Sequence, residues 1–340
     1  MMNLLSAPQP IAELSIEQLI ADAATETRST QPWVVRSLVR SWPMVDAAID
    51  SDEVFLQYLL SFYSGHQVSA FLGEPHIDGR FFYNENQSGF NFIQVQSSLS
   101  HISQQLLELA GHDDPASLYV GSTNIDHWLP GLGSVNELPL SLPSPLTSLW
   151  LGNRSSIAPH FDYPANIACC VAGRRRFLLF PPDQVNNLYI GPWDLTPAGQ
   201  PISLVDTRRP DIERFPLYQE AMKHAQVAEL EPGDAIYVPS LWWHQVESLA
   251  PINALVNYWW TSQPAVYGAP MDALTHAMMA LKSLPIEQKS AWKALFDYYV
   301  FSESAGNASH WQGVSADRAG PPNENLARQL RAELMNHLKR

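Results

Sequence analysis

Three consecutive residues, His160-Phe161-Asp162, combine the side-chain types that chemistry on a transition metal needs. On an extended strand successive side chains alternate between faces. His160 and Asp162 would then share a face with Cα atoms roughly 6.5–7 Å apart, near enough for an imidazole and a carboxylate to meet one ion. A second imidazole would complete a two-histidine, one-carboxylate face, the donor set that holds iron(II) and leaves positions open for substrate and oxygen. His244 is the best candidate. It follows Tyr237-Val238-Pro239-Ser240-Leu241-Trp242-Trp243, after a turn at Gly233-Asp234, and leads into another β-like run. Only a closed sheet would bring positions 160 and 244 together. A lone His-x-Asp is common by chance in a chain with 11 histidines, so the weight rests on the combination. The third ingredient is cationic. Arg174-Arg175-Arg176 follow a hairpin signal at Ala172-Gly173. An arginine can hold a carboxylate through paired hydrogen bonds and stays charged when buried. The same run would also suit a solvated strand edge. Alternation puts at least one of the three on each face and leaves open which one points inwards.

The elements that must position these residues are short strands. Between about 117 and 262, apolar runs alternate with turn residues: Leu118-Tyr119-Val120, then 146–151, 167–171, 177–180, 202–205, 235–238 and 254–260. Many short strands with little helix between them imply an antiparallel sandwich or barrel. The Pro-rich segment 181–224 reads as a long excursion from the sheet, and loops of that length are often functional. Upstream, residues 13–64 read as largely helical. Ser15 and Gln18 have capping-box spacing, 32–39 could form a short strand, and Val54, Tyr58, Leu59 and Phe62 are in helical phase. A further helix is predicted over 94–109. After Pro264 the helical period returns through Leu274, Met278 and Leu281, then Trp292, Leu295, Phe296 and Tyr299. A loop over 302–322 precedes a last leucine stripe at 326, 330, 334 and 338. The expected division is a helical and mixed segment packing on the barrel (1–116), a strand-rich core with the insert 181–224 (117–262), and a C-terminal helical region (263–340).

Composition removes several classes. With 46% hydrophobic and 16% charged residues the chain is neither disordered nor fibrous. A net charge of −14 repels phosphate backbones, so general nucleic-acid binding is disfavoured. The only cysteines, Cys169 and Cys170, are adjacent and could bridge only with strain. That fits a reducing cytosol. The first 14 residues lack a basic start and a sustained apolar run, and no window approaches the ~20 apolar residues of a membrane helix. A cytoplasmic protein without membrane association is the expectation.

Three stretches together resemble one family. They are Ala158-Pro159-His160-Phe161-Asp162 with Asn166; Gly173-Arg174-Arg175-Arg176-Phe177-Leu178-Leu179-Phe180-Pro181-Pro182; and Glu231-Pro232-Gly233-Asp234-Ala235-Ile236-Tyr237-Val238-Pro239, running into Trp242-Trp243-His244 and Asn257-Tyr258-Trp259. The likeness is to the JmjC-type, cupin-like iron(II)/2-oxoglutarate oxygenases, and within them to the asparaginyl hydroxylase of hypoxia-inducible factor. It spans about residues 30–262, with the core motifs between 150 and 260. Together they are specific, whereas none would be alone.

The resemblance implies a mainly β protein with flanking helices: a double-stranded β-helix (jelly roll) and a C-terminal helical region that pairs two copies into a homodimer. It implies iron(II) on His160, Asp162 and His244, with 2-oxoglutarate and O2 as cosubstrates. Arg175 stands where the hydroxylase has a lysine gripping the distal carboxylate of 2-oxoglutarate. Tyr119 resembles the tyrosine that helps hold it. Asn166 and Asn257 match polar positions of the pocket, and Trp259 an aromatic wall. Ile157 departs from the pattern, because the hydroxylase has a hydrogen-bonding threonine there; Ser155 or Ser156 are the nearest replacements. The implied reaction is hydroxylation, or demethylation through hydroxylation, of a protein side chain or a small molecule. Two other readings compete: a non-catalytic cupin-like binding module, and a cupin using another metal for isomerisation or hydrolysis. The intact ligand set opposes the first. The Arg175 hairpin and the Asn257-Trp259 run oppose the second. Tyr119, Asn166 and Asn257 would equally serve as satisfied polar groups of an ordinary core.

Overall fold

A computed structural model describes residues 5–19, 30–302 and 322–339. They fall into two compact units, Met1–Thr261 and Ser262–Arg340. Strands dominate the first: β1 (Gln9–Pro10), β2 (Ala12–Glu13), β3 (Trp33–Val35), β4 (Val68–Gly73), β5 (Arg80–Phe81), β6 (Phe92–Ser97), β7 (Ser117–Asn124), β8 (Leu146–Gly152), β9 (Ser155–His160), β10 (Ala165–Ala172), β11 (Arg175–Phe180), β12 (Gln226–Leu230), β13 (Ala235–Val238), β14 (Trp243–Ser248) and β15 (Asn253–Trp260).

They build two sheets, ordered β1-β12-β11-β14-β9-β5 and β2-β3-β13-β10-β15-β8-β7-β4-β6. From β8 to β15 the chain switches repeatedly between the two, and every pairing among these eight strands is antiparallel. This is the double-stranded β-helix, in which two facing sheets enclose one interior. The N-terminal stretch closes one side: β1 pairs with β12 in one sheet and β2 with β3 in the other, with buried Ile11 between them.

Side-chain alternation sorts the strands into layers. Ala168 and Cys170, Phe177 and Leu179, Ile236 and Val238, and Leu255 face each other between the sheets. The opposite parity of β10 and β15, including Ile167, Cys169, Val171 and Val256, packs with helical residues such as Val45, Phe55, Leu59, Ile102 and Leu106. On the outside of the other sheet, Leu178 and Phe180 pack against Leu188, Val205, Phe215 and Tyr218 of the segment 181–224. That segment therefore covers a sheet face.

Several local expectations change. The stretch predicted as a helix over 94–109 is strand β6 up to Ser97 and helix only over Leu99–Ala110. Pairing with β4 takes the first part: the Gln94 and Gln96 amides donate to Ser69 Oγ across the strands, and the Ser98 hydroxyl then caps the helix at the His101 N–H. In the helix Asp52–Ser61 the buried face is Phe55, Leu56 and Leu59, with Val54 exposed. The run 202–205 makes a single bridge, Ile190 to Ser203. The Ser15/Gln18 pair forms reciprocal capping bonds.

The hairpin between β10 and β11 turns on Gly173, whose φ is +70°. A Cβ there would stand 2.3 Å from Asn253 Oδ1 and 2.5 Å from the Ile252 carbonyl oxygen. Asn253 cannot yield, because its side chain both accepts from and donates to the Ala250 backbone. Gly173→Ala is expected to cost about 2–4 kcal/mol of stability in urea unfolding, from left-handed strain plus overpacking.

The second unit contains helices Pro270–Leu281, Ile286–Phe296 and Glu324–Leu338, the last capped by the Asn323 side chain at the Leu326 N–H. Most of the loop expected over 302–322 lies outside the described residues. Ile286, Tyr299, Val300, Phe301, Leu334 and Leu338 are exposed. Among the described residues no helix is long and apolar enough to cross a membrane.

Candidate metal centre

His160 ends β9 and His244 is the second residue of β14, and the two lie directly opposite each other across the pairing. Their rings are 4.3 Å apart between centroids. The register of β9 against β14 shifts between His244 and Val246: one residue of β14 separates them, whereas two residues of β9, Ala158 and Pro159, separate their partners. This is a bulge on β9, and Pro159 sits within it, where a missing backbone N–H is tolerated. The bulge absorbs the extra residue, so that Ile157 and His160, three apart, both face the interior.

Asp162 arrives by a different route from the one alternation predicts. β9 stops at His160, so Asp162 lies in the following loop. That loop is tied to the turn before β14: Leu241 N–H donates to the Asp162 carbonyl at 2.9 Å, and Ser240 Oγ to the Tyr163 carbonyl at 2.5 Å. The carboxylate Oδ2 consequently stands 3.6 Å from His244 Nε2. One ligand atom from each of His160, Asp162 and His244 lies within 4.8 Å of the others. Both imidazoles are oriented in the same way. Nδ1 of His160 is 2.9 Å from the Ala158 carbonyl and Nδ1 of His244 is 3.0 Å from the Trp242 carbonyl. A carbonyl only accepts, so each Nδ1 carries the proton and each Nε2 keeps a lone pair for a metal.

His244 is buried, and this, with the neighbouring His160, pushes its pKa down to about 4 against the opposing pull of Asp162 and the bond to Trp242. In the metal-free chain the shift links stability to pH. The folded value lies below the usual 6.5, so the contribution is present above pH 6.5 and lost as pH falls through about 4. Thermal unfolding of metal-free protein should shift to lower temperature over that window, and less steeply in His244→Gln.

Arg175 resolves the open parity. It faces the interior and is only 2% exposed. Arg176 points outwards, its Nη1 3.5 Å from Glu247 Oε2, and Arg174 is exposed. Arg175 Nε and Nη2 are buried with no hydrogen-bond partner. Its titratable neighbours, Tyr119 and Cys170, offer no counter-charge, because burial pushes both of their pKa values up, that of Cys170 to about 12. A guanidinium so placed lacks an anion, and a carboxylate is the group that fits its fork.

The remaining candidates gather on the same interior parity. Asn166 of β10 is paired with Trp259 of β15, and Asn257 lies two residues before Trp259. Asn257 Nδ2 is 3.4 Å from Asn166 Oδ1, and Asn257 Oδ1 accepts from Trp150 Nε1 at 2.7 Å. Trp259 stands edge-on to Trp150, and its own Nε1 is buried without a partner. Tyr119 of β7 stacks on Trp150 at 5.9 Å. Tyr119, Ile157 and Ala158 line a cavity of about 30 Å³ together with Phe71, Phe81 and Phe92. The serines proposed as replacements for the threonine are engaged elsewhere: Ser155 Oγ bonds Ser248 Oγ, and Ser156 Oγ accepts from the Gln245 amide. Trp150 is a member of the group that sequence reasoning missed. Alternation along β8 and its register opposite Leu255 would have pointed it inwards.

What this arrangement can do is hold one cation on two neutral imidazoles and a carboxylate, near a small, mostly apolar cavity and a buried guanidinium without a counter-charge.

Comparison with known proteins gives matches of the same kind. The model of the cupin-like domain family matches residues 23–266. Human HSPB1-associated protein 1 is 34% identical over 43% of the chain and 30% of its own length. Lysine-specific demethylase JMJ31 of Arabidopsis thaliana is 30% identical over 34% of the chain and 21% of its length. Jumonji C domain-containing protein 5 of Drosophila melanogaster is 26% identical over 75% of the chain and 64% of its length. For the first two, the match spans about a third or less of the relative.

Proposed function

We propose that this chain, which belongs to the cupin-like domain family, is an iron(II)- and 2-oxoglutarate-dependent dioxygenase that hydroxylates a carbon–hydrogen bond, with a protein side chain as the favoured substrate. The observation that carries the reading is the convergence of the His160, Asp162 and His244 ligand atoms within 4.8 Å, beside the buried, unpartnered guanidinium of Arg175. The donor set, two nitrogens and one oxygen on a protein face with positions left open, suits iron(II). Iron bound there would supply the coupling of 2-oxoglutarate decarboxylation by O2 to hydroxylation of the substrate.

The protein's own residues do the rest. The Ala158 and Trp242 carbonyls hold the two imidazoles in the tautomer that ligates. Arg175 and the un-ionised Tyr119 phenol receive the distal carboxylate of 2-oxoglutarate. Ile157 supplies an apolar wall where the resembling hydroxylase offers a hydroxyl, so Arg175 carries more of that contact. Trp150 fixes the Asn257 amide, which in turn sets Asn166. Trp150, Trp259 and the phenylalanines around the small cavity keep water out. The kinship of the chain to JmjC-domain relatives, one of them named a lysine-specific demethylase, supports a protein substrate and leaves N-methyl removal through the same hydroxylation as an outcome. The same reading takes the exposed apolar side chains of the C-terminal helices as the contact of a homodimer, since contiguous apolar surface marks association. Phe301→Glu should then give monomers in sedimentation. It also assigns a cytoplasmic setting, to which the free thiols of Cys169 and Cys170 are suited.

The test is anaerobic addition of iron(II) and 2-oxoglutarate to purified protein. A weak visible charge-transfer band is expected, and admission of air should then yield succinate. Peptide pools and cell extract incubated under the same conditions would be searched by mass spectrometry for a gain of one oxygen. Absence of both band and succinate would remove the oxygenase reading.

A further inference from the structure

Four arginines, in a chain with only 20 Lys and Arg against 34 Asp and Glu, line a single cleft: Arg80, Arg208, Arg209 and Arg214. The cleft holds about 1150 Å³ and also takes in residues of β6 and of the helix Leu99–Ala110. It is separate from the small cavity beside Tyr119. Arg80 and Phe82 line the cleft, Phe81 between them lines the cavity, and Phe92 borders both.

The arginines differ in how well they are matched. Arg208 is fixed, its Nη1 donating to the Asp78 carbonyl at 2.9 Å and to the Asp78 carboxylate at 3.2 Å. Arg80 is not. Its guanidinium lies 3.6 Å above the Phe82 ring, its Nε is 3.9 Å from Asp206, beyond hydrogen-bond reach, and its Nη2 is buried with no partner. Arg214 rests on the Phe215 ring at 5.0 Å and makes no ion pair among the described residues. A planar cation held on an aromatic face with unused donors is ready for a carboxylate.

Size and charge narrow the ligand. Small-molecule pockets run to roughly 300–1,000 Å³, so this cleft suits a length of chain. Glu74, Asp78, Glu85, Glu108 and Asp206 share the wall with the four arginines, and they oppose a strand carrying a phosphate at every step. A polypeptide can offer acids to Arg80 and Arg214 and lay an apolar neighbour on Ile93, which is 62% exposed. Position connects the cleft to the metal centre. Arg80 pairs with Ser156 and Phe81 with Ile157 on β9, and His160 lies three residues beyond Ile157, roughly 10 Å along the strand.

We propose that this cleft binds an acidic segment of a polypeptide substrate, with Arg80 and Arg214 receiving Asp or Glu side chains. Net charge alone would favour a basic peptide; the local pairing reverses that preference. Calling the polypeptide a substrate rests on the oxygenase reading, but the test needs neither iron nor turnover, so the two can fail separately. A phage-displayed library of random 12-residue peptides would be selected on the immobilised full chain, and synthetic copies of the recovered clones titrated by fluorescence anisotropy. Expected are clones enriched at least about threefold in Asp and Glu, whose Kd rises at least tenfold for Arg80→Gln and for Arg214→Gln and rises with salt. Arg214 is exposed, so its variant reports even if Arg80→Gln fails to fold. No recovered clones, clones without acidic enrichment, binding unchanged in Arg214→Gln, or tighter binding of a labelled oligothymidylate would each overturn the proposal.

Discussion

His160→Ala is expected to abolish the iron(II)-dependent visible band and to lower succinate formation by more than about 100-fold. The magnitude follows from the weaker case: loss of a group that merely orients a ligand already costs 10–100-fold in metal affinity or activity. Here one of three donors disappears, and the remaining pair, His244 Nε2 and Asp162 Oδ2, are 3.6 Å apart. The variant should still fold, because His160 is only half-buried and ends its strand. A second readout separates metal loss from general damage. His160 is one of the influences that hold the His244 pKa low. Without it, the acid-induced loss of stability in metal-free protein should still begin near pH 6.5 but be smaller and end at a higher pH. Full iron(II) occupancy with undiminished succinate in His160→Ala would end the metal assignment.

Arg175→Met should move two quantities in opposite directions. The 2-oxoglutarate concentration for half-maximal succinate formation should rise about 150- to 5,000-fold, because removing one partner from a buried charge pair costs roughly 3–5 kcal/mol. Stability of the ligand-free chain should rise or hold, because an unpartnered buried cation gives way to a shorter, unbranched apolar side chain. A purely structural arginine would show the reverse pattern, with stability lost and cosubstrate demand unchanged. Arg175→Lys should fall between wild type and Met, since it keeps the charge and loses the fork. Unaltered cosubstrate demand in Arg175→Met would reject the role.

How much of this was legible in the chain varies with the range of the interaction. The jelly roll was readable, because short apolar runs separated by turns, together with the family motifs, leave few alternatives. Positions 160 and 244 were expected to need a closed sheet to meet; they meet instead as direct partners on the neighbouring strands β9 and β14 of one sheet. Asp162 reaches the imidazoles, but by a loop pinned through Leu241 and Ser240, a contact across more than 70 residues that strand alternation does not describe. Alternation alone could not choose the inward arginine among three neighbours; the family resemblance singled out Arg175, which is the buried one. Trp150 was hidden inside an apolar run in which core and site residues look alike. The failed helix over 94–109 had helical phase only from Leu99 onwards, and long-range pairing with β4 claimed the rest. The Arg80 cleft joins segments separated by more than 120 residues, and no local pattern announces such a meeting.

The bulge at Ala158 and Pro159 has an evolutionary corollary. A one-residue deletion there would turn the bulge into regular pairing with β14, leaving Ile157 and His160 two residues apart and still on one face of the sheet. Descendants of such a chain would keep His160 opposite His244 and lose only the local bend of the bulged strand. Length between Ile157 and His160 can therefore drift by one residue among working centres, whereas the identities of the ligands cannot.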